Sequence, residues 1–121
     1  MKRALIVEDD PAWADILVAC AKQADFESIV VNSPQLAMDA MDIEIPDVVV
    51  LDMLLAVETG VALLNEMRGY PDLAKIPVIV CSSVEGLNMD NMKAFGVKYV
   101  FDKSIMNPVD IRYALRSLAH E

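Results

Sequence analysis

At 121 residues the chain has the length of one compact domain, and at 55% hydrophobic against 24% charged it is too apolar to be disordered. Ten Lys and Arg against nineteen Asp and Glu leave a formal net charge of −9, a surface that repels a phosphate backbone and argues against direct nucleic-acid binding. No apolar run approaches the roughly 18 residues of a membrane span, Met1-Lys2-Arg3 does not open a signal peptide, and Cys20 and Cys81 fit neither a disulfide framework nor a zinc site, so a cytoplasmic setting is expected.

Apolar runs rich in β-branched residues recur along the chain at 4–7 (ALIV), 29–31 (IVV), 48–51 (VVVL), 76–81 (IPVIVC) and 97–101 (VKYVF). Several are almost continuously apolar, as strands buried on both faces are. Helical segments separate them. The first, 11–24, opens on Asp10-Pro11, a cap followed by the proline favoured at the first helical position, and its expected inner stripe is Trp13, Ile16, Leu17, Cys20 and Ala24. The second follows Ser33-Pro34 with Leu36, Ala37, Ala40 and Met41 inward. A third spans 60–68 with Val61, Leu64 and Met67, and a less regular fourth lies near 85–95. The fifth opens at Asn107-Pro108 and carries Ile111, Ala114, Leu115 and Leu118. Strands alternating with helices at this spacing predict an α/β fold with a doubly wound parallel sheet in three layers.

Ligands of such sheets bind outside the carboxyl ends of the strands. Those ends carry Glu8, Asp9 and Asp10 after the first strand and Asp52 after the third. Ser82 and Ser83 follow the fourth, and Asp102 and Lys103 the fifth. Asp10, beside Pro11, is assigned to the helix cap. Taken singly, each of the others is an ordinary cap or surface charge. Together, Glu8, Asp9 and Asp52 would repel one another unless a cation sat among them, and a few hard oxygen ligands with room for water suit Mg²⁺. A divalent ion, a lysine and a hydroxyl around one carboxylate are what a phosphoryl group in flight requires. The residues therefore point to metal-assisted phosphoryl transfer onto Asp52.

LIVEDDP at the start, VVVLDM with Gly60 eight positions past the aspartate, IPVIVCSS, and GVKYVFDK, in that order, resemble the receiver domain of bacterial two-component response regulators. The resemblance runs over essentially the whole chain and implies one receiver domain over 1–121. It also implies a CheY-like (flavodoxin-like) sheet of order 2-1-3-4-5 flanked by five helices. Asp52 would be the phosphorylated residue. Asp9 would bind Mg²⁺ directly, Glu8 through water and Leu54 through its backbone carbonyl. Ser82 would be the switch hydroxyl and Lys103 the lysine that contacts the phosphoryl group. The implied donor is a sensor histidine kinase or a phosphotransfer protein. The implied downstream partner is a protein that docks on the face made by the fourth helix, the fifth strand and the fifth helix.

The sequence departs from the family pattern at four places. Ala56 stands where proline is frequent, Ser83 where a small alanine is usual, and Val100 where many receivers carry a Tyr or Phe. Ser104 replaces the proline after the lysine, so a trans Lys103–Ser104 bond is expected, since cis is costly without proline. Leu54 and Val84, two positions past the aspartate and past the switch hydroxyl, can neither donate nor accept a hydrogen bond, which predicts slow loss of the phosphoryl group. A binding module of the same fold that no longer depends on phosphorylation is the alternative. An aspartate-nucleophile hydrolase would want a second aspartate where Leu54 stands.

Overall fold

The computed structural model describes residues 1–53, 60–83 and 92–120. Five parallel strands, β1 (Lys2–Val7), β2 (Phe26–Val31), β3 (Val48–Leu51), β4 (Val78–Ser82) and β5 (Val97–Asp102), pair in the order β2-β1-β3-β4-β5. The helices among the described residues are α1 (Pro11–Gln23), α2 (Pro34–Ile43), α3 (Gly60–Arg68), α4 (Pro71–Ala74) and α5 (Pro108–Ala119). This is the expected doubly wound sheet of order 2-1-3-4-5.

β3 and β4 are buried at every residue, which is why they read as unbroken apolar runs. Alternating side chains divide the interior into two cores. Leu5, Val7, Val49, Leu51, Val78 and Val80 meet α2 and α3 on one face of the sheet. Ala4, Ile6, Val48, Val50, Ile79 and Cys81 meet α1 and α5 on the other. Both cysteines are buried thiols; burial raises each, and pushes Cys81 up to about 12, so they serve as packing groups.

The helix starts follow the local signals. Asp10 accepts from the backbone N–H groups of Ala12 and Trp13, Ser33 from Leu36, and Asn107 from Val109 in a capping box completed by Asp110. The faces needed correction. Leu36 and Val61, expected inside, are exposed, while Ala14, Ala21, Met38 and Leu63 are buried. A 3.6-residue period sets the spacing of an apolar stripe, but its angular position depends on the layer it lies against. Trp13 and Ile16 are half-buried, packed against the edge of the α1/α5 core. β2 begins three residues earlier than its apolar run, because Phe26 pairs with Lys2 and is buried. The short α4 was not expected; it starts on Pro71 with Asp72 in its first turn. The helix expected over 85–95 lies outside the described residues except at its end, where Met92 is buried and Phe95 packs against the α2/α3 core.

The register places the site. Val7 pairs with both Val31 and Leu51, so Glu8 and Asp52 emerge side by side from β1 and β3, and Ser82 pairs with Asp102 at the ends of β4 and β5. Gly60 opens α3 directly behind this rim, donating its N–H to the Met53 carbonyl at 3.0 Å. A Cβ there would lie 2.8 Å from the Asp52 carbonyl oxygen and 2.8 Å from the Met53 Cα, both backbone atoms that cannot swing away. Gly60→Ala is therefore expected to destabilise by about 1–3 kcal/mol despite alanine's better helix propensity. Urea unfolding checks this; a variant as stable as the native chain would contradict the close packing.

Candidate functional site

The four strand ends deliver four side chains to one point. The Asp52 carboxylate is fixed on both oxygens, with the Ser82 hydroxyl donating to Oδ1 at 2.9 Å and the Lys103 ammonium to Oδ2 at 3.0 Å. Lys103 also donates to Glu8 Oε1, while Glu8 Oε2 accepts the backbone N–H of Asp10 at 3.3 Å. Backbone bonds set the loops that carry these groups. Glu8 N–H donates to the Val31 carbonyl, Asp52 N–H to that of Val7, and Lys103 N–H to that of Ser82. Glu8, Asp52 and Ser82 are all buried, and the Lys103 side chain is only 8% exposed.

Two buried carboxylates share one ammonium, and that governs the electrostatics. Burial pushes the Glu8 carboxyl above the ordinary carboxylate range; the bonds from Lys103 and the Asp10 amide oppose this without cancelling it. Burial alone would lower Lys103, but its bonds to Glu8 and Asp52 outweigh that and hold it above the usual lysine value. Among the described residues, Lys103 is the one cation bonded to these two carboxylates. Oxygens of Glu8, Asp9 and Asp52 all lie within 4.8 Å of one another, with Asp9 half-buried towards solvent. An all-carboxylate donor set of this size, on an open rim, fits a hard divalent cation. Of the expected ligands, Leu54 lies outside the described residues, as do Ala56 and Val84.

Asp10 and Asp102, though on the same rim, act elsewhere. Asp10 caps α1. Asp102 accepts the Ser104 hydroxyl at 2.6 Å and its backbone N–H at 2.9 Å, which holds its carboxyl below the usual range. Proline at 104 could donate neither bond. No peptide bond among the described residues is cis, as expected with serine in that place. Val100 is half-buried against the α2/α3 core, while its neighbours Tyr99 and Phe101 stack on the opposite face with ring centroids 6.0 Å apart. The strand's alternation thus points both aromatics away from the Ser82 side of the sheet. One contact was not anticipated: the Trp13 ring lies 5.1 Å from the Lys103 ammonium. Its place in an apolar helical stripe marked it as ordinary core.

No helix among the described residues is long and apolar enough to cross a membrane. Comparison with known proteins agrees with this geometry. A family model described as the response regulator receiver domain matches residues 4–116. Protein Rrf1 of Nitratidesulfovibrio vulgaris (strain Hildenborough) is 29% identical over 94 residues, 78% of this chain and 68% of that protein. Among solved structures, the chemotaxis response regulator CheY4 of Vibrio cholerae superposes with a TM-score of 0.84 at 18% identity, covering 98% of both chains. The Mn²⁺-bound form of response regulator Rcp1 gives 0.74 at 25% identity, over 98% of this chain and 91% of that one. The strand order, the acids at the ends of β1 and β3 and the family match over nearly all of the chain have one explanation, which is that it belongs to the response regulator receiver domain family.

Proposed function

We propose that this chain, as one receiver unit over residues 1–121, is a cytoplasmic phosphoacceptor switch. It takes a phosphoryl group from a phosphohistidine of a sensor histidine kinase or phosphotransfer protein onto Asp52. The carrying observation is the carboxylate of Asp52 held between a hydroxyl and an ammonium, with two further carboxylates within reach of a shared cation. In the transfer an Asp52 oxygen attacks phosphorus, the P–N bond to the donor imidazole breaks, and the imidazole leaves with the bonding pair and takes a proton from solvent. Ser82 and Lys103, already donating to Asp52, become donors to the phosphoryl oxygens in the product. Glu8 accepts from Lys103 throughout and keeps it charged. Asp9 and Asp52, with Glu8 through water and the Leu54 carbonyl, would hold Mg²⁺, which when bound offsets the negative charge gathered on the phosphoryl oxygens. That Rcp1 has a Mn²⁺-bound form supports a divalent ion here.

The chain promotes its own modification but turns over no substrate, so it is a switch and not an enzyme. Its output is a changed protein-binding surface. We place that surface on β5, α5 and the segment 85–95; Val109 and Tyr113 of α5, and Ile105 in the connection before it, already expose apolar side chains. A module that works without phosphorylation is disfavoured by the intact Glu8, Asp9, Asp52, Ser82 and Lys103 set.

Incubation with a small acyl-phosphate and Mg²⁺ is expected to add one phosphoryl mass to the intact chain, and a chelator to prevent it. An unmodified chain under saturating donor would return the reading to a phosphorylation-independent module. Once formed, the acylphosphate should decay slowly after donor removal, and faster in Leu54→Asn with Val84→Glu, where polar groups can orient water. A native half-life of seconds, unchanged by the substitutions, would contradict this.

A further inference from the structure

We infer that Trp13 is a positioning residue for Lys103, its indole face forming the third wall of the ammonium's site. This rests on the phosphoacceptor reading above. An ammonium has three N–H donors. Two of those of Lys103 go to Glu8 and Asp52, and the side chain is 8% exposed. The Trp13 ring, 5.1 Å away, lies within the range in which a π face attracts a cation. Trp13 itself is anchored from behind: Asp10 caps the first turn of α1 and accepts the Trp13 backbone N–H, and the ring packs against the α1/α5 core.

The chemistry of such a wall differs from that of water or a carboxylate. The indole face attracts the charge without demanding a direction and excludes water that would otherwise solvate the ammonium. Lys103 can then turn from Asp52 to a phosphoryl oxygen while keeping its bond to Glu8 and the ring contact. A third carboxylate in that place would hold the ammonium back; an aliphatic side chain would cover it without attraction. Trp13 touches neither donor nor phosphoryl group and acts only through Lys103.

The test compares Trp13→Leu, which keeps apolar cover, with Trp13→Phe, which keeps a π face. Two readouts are needed. The first, independent of phosphorylation, is the rate at which Lys103 is reductively methylated in the native fold, followed by peptide mass mapping against the other lysines. The second is the phosphorylation rate at saturating acyl-phosphate with Mg²⁺, separated from the donor concentration at half-saturation. Trp13→Leu is expected to raise Lys103 labelling several-fold and to lower the saturated rate roughly tenfold with little change in half-saturation, while Trp13→Phe restores both to near native. Labelling and saturated rate unchanged in a folded Trp13→Leu would overturn the inference. So would a loss that Phe does not rescue. If the native chain takes up no phosphoryl group at all while the labelling pattern holds, the phosphoacceptor reading fails and the hold of the ring on Lys103 stands.

Discussion

Asp52→Asn is expected to lose phosphorylation outright while keeping its fold. The asparagine amide is nearly the same shape but is not a competent nucleophile, so the added phosphoryl mass should fall to background under conditions that modify the native chain fully. Stability should move little, within about 1 kcal/mol. The reason lies in the charge count: Glu8 and Asp52 are two buried carboxylates for one ammonium, and neutralising Asp52 leaves Glu8 and Lys103 as a balanced pair. The side-chain oxygen at 52 can still accept from Ser82. Intact mass and urea unfolding on the same sample check both halves. Modification of the variant to the native extent would place the acceptor elsewhere.

Lys103→Met is expected to do the reverse, failing in stability as well as in chemistry. It removes the only cation bonded to Glu8 and Asp52 among the described residues and leaves both carboxylates buried beside Asp9. Breaking such a pair from one side typically costs about 3–5 kcal/mol near neutral pH. The cost should depend on pH with a definite sign. The folded-state pKa of Glu8 already lies above its unfolded value of 4.5, chiefly through burial, and Lys103, with the Asp10 amide, opposes the rise. Without Lys103 it climbs further, so the native state binds more protons than the unfolded state over a wider range. Stability tied to Glu8 is then fully present below 4.5 and lost as pH rises through the folded pKa. The variant should approach native stability near about pH 4–5 and fall away towards neutrality, more steeply than the native chain. A divalent cation, binding only the folded state, should recover part of the loss at neutral pH. Phosphorylation should slow by roughly a hundredfold or more, since one donor to the transferring group is gone. Urea midpoints across pH, with and without Mg²⁺, decide the matter. A variant with native stability and a flat pH response would mean that Glu8 and Asp52 are compensated by something other than Lys103.

The site was legible in the sequence because its residues sit at strand ends. A buried parallel strand is a run of apolar β-branched residues, so the first polar residue after it is visible, and a doubly wound sheet sends all those ends to one rim. Glu8, Asp52, Ser82 and Lys103 could therefore be named together from a linear pattern. Caps were legible for a similar reason. Asp10, Ser33 and Asn107 bond to N–H groups two or three residues away, and local geometry suffices.

Other features depended on distances between elements, and only the tertiary structure decided them. Leu36 and Val61 satisfy a helical period yet face solvent, because the period does not say where on the helix surface the sheet will lie. Phe26 joins β2 through its pairing with Lys2, a partner far away in sequence. Asp102 shares the rim by position but is drawn to Ser104 by two short-range bonds. Above all, Trp13 belongs by spacing to an apolar stripe, and only the approach of the loop after β5 to the first turn of α1 sets its ring over the Lys103 ammonium. Local signals fix what a residue does to its neighbours in sequence; which charge an aromatic face will meet depends on how the layers close.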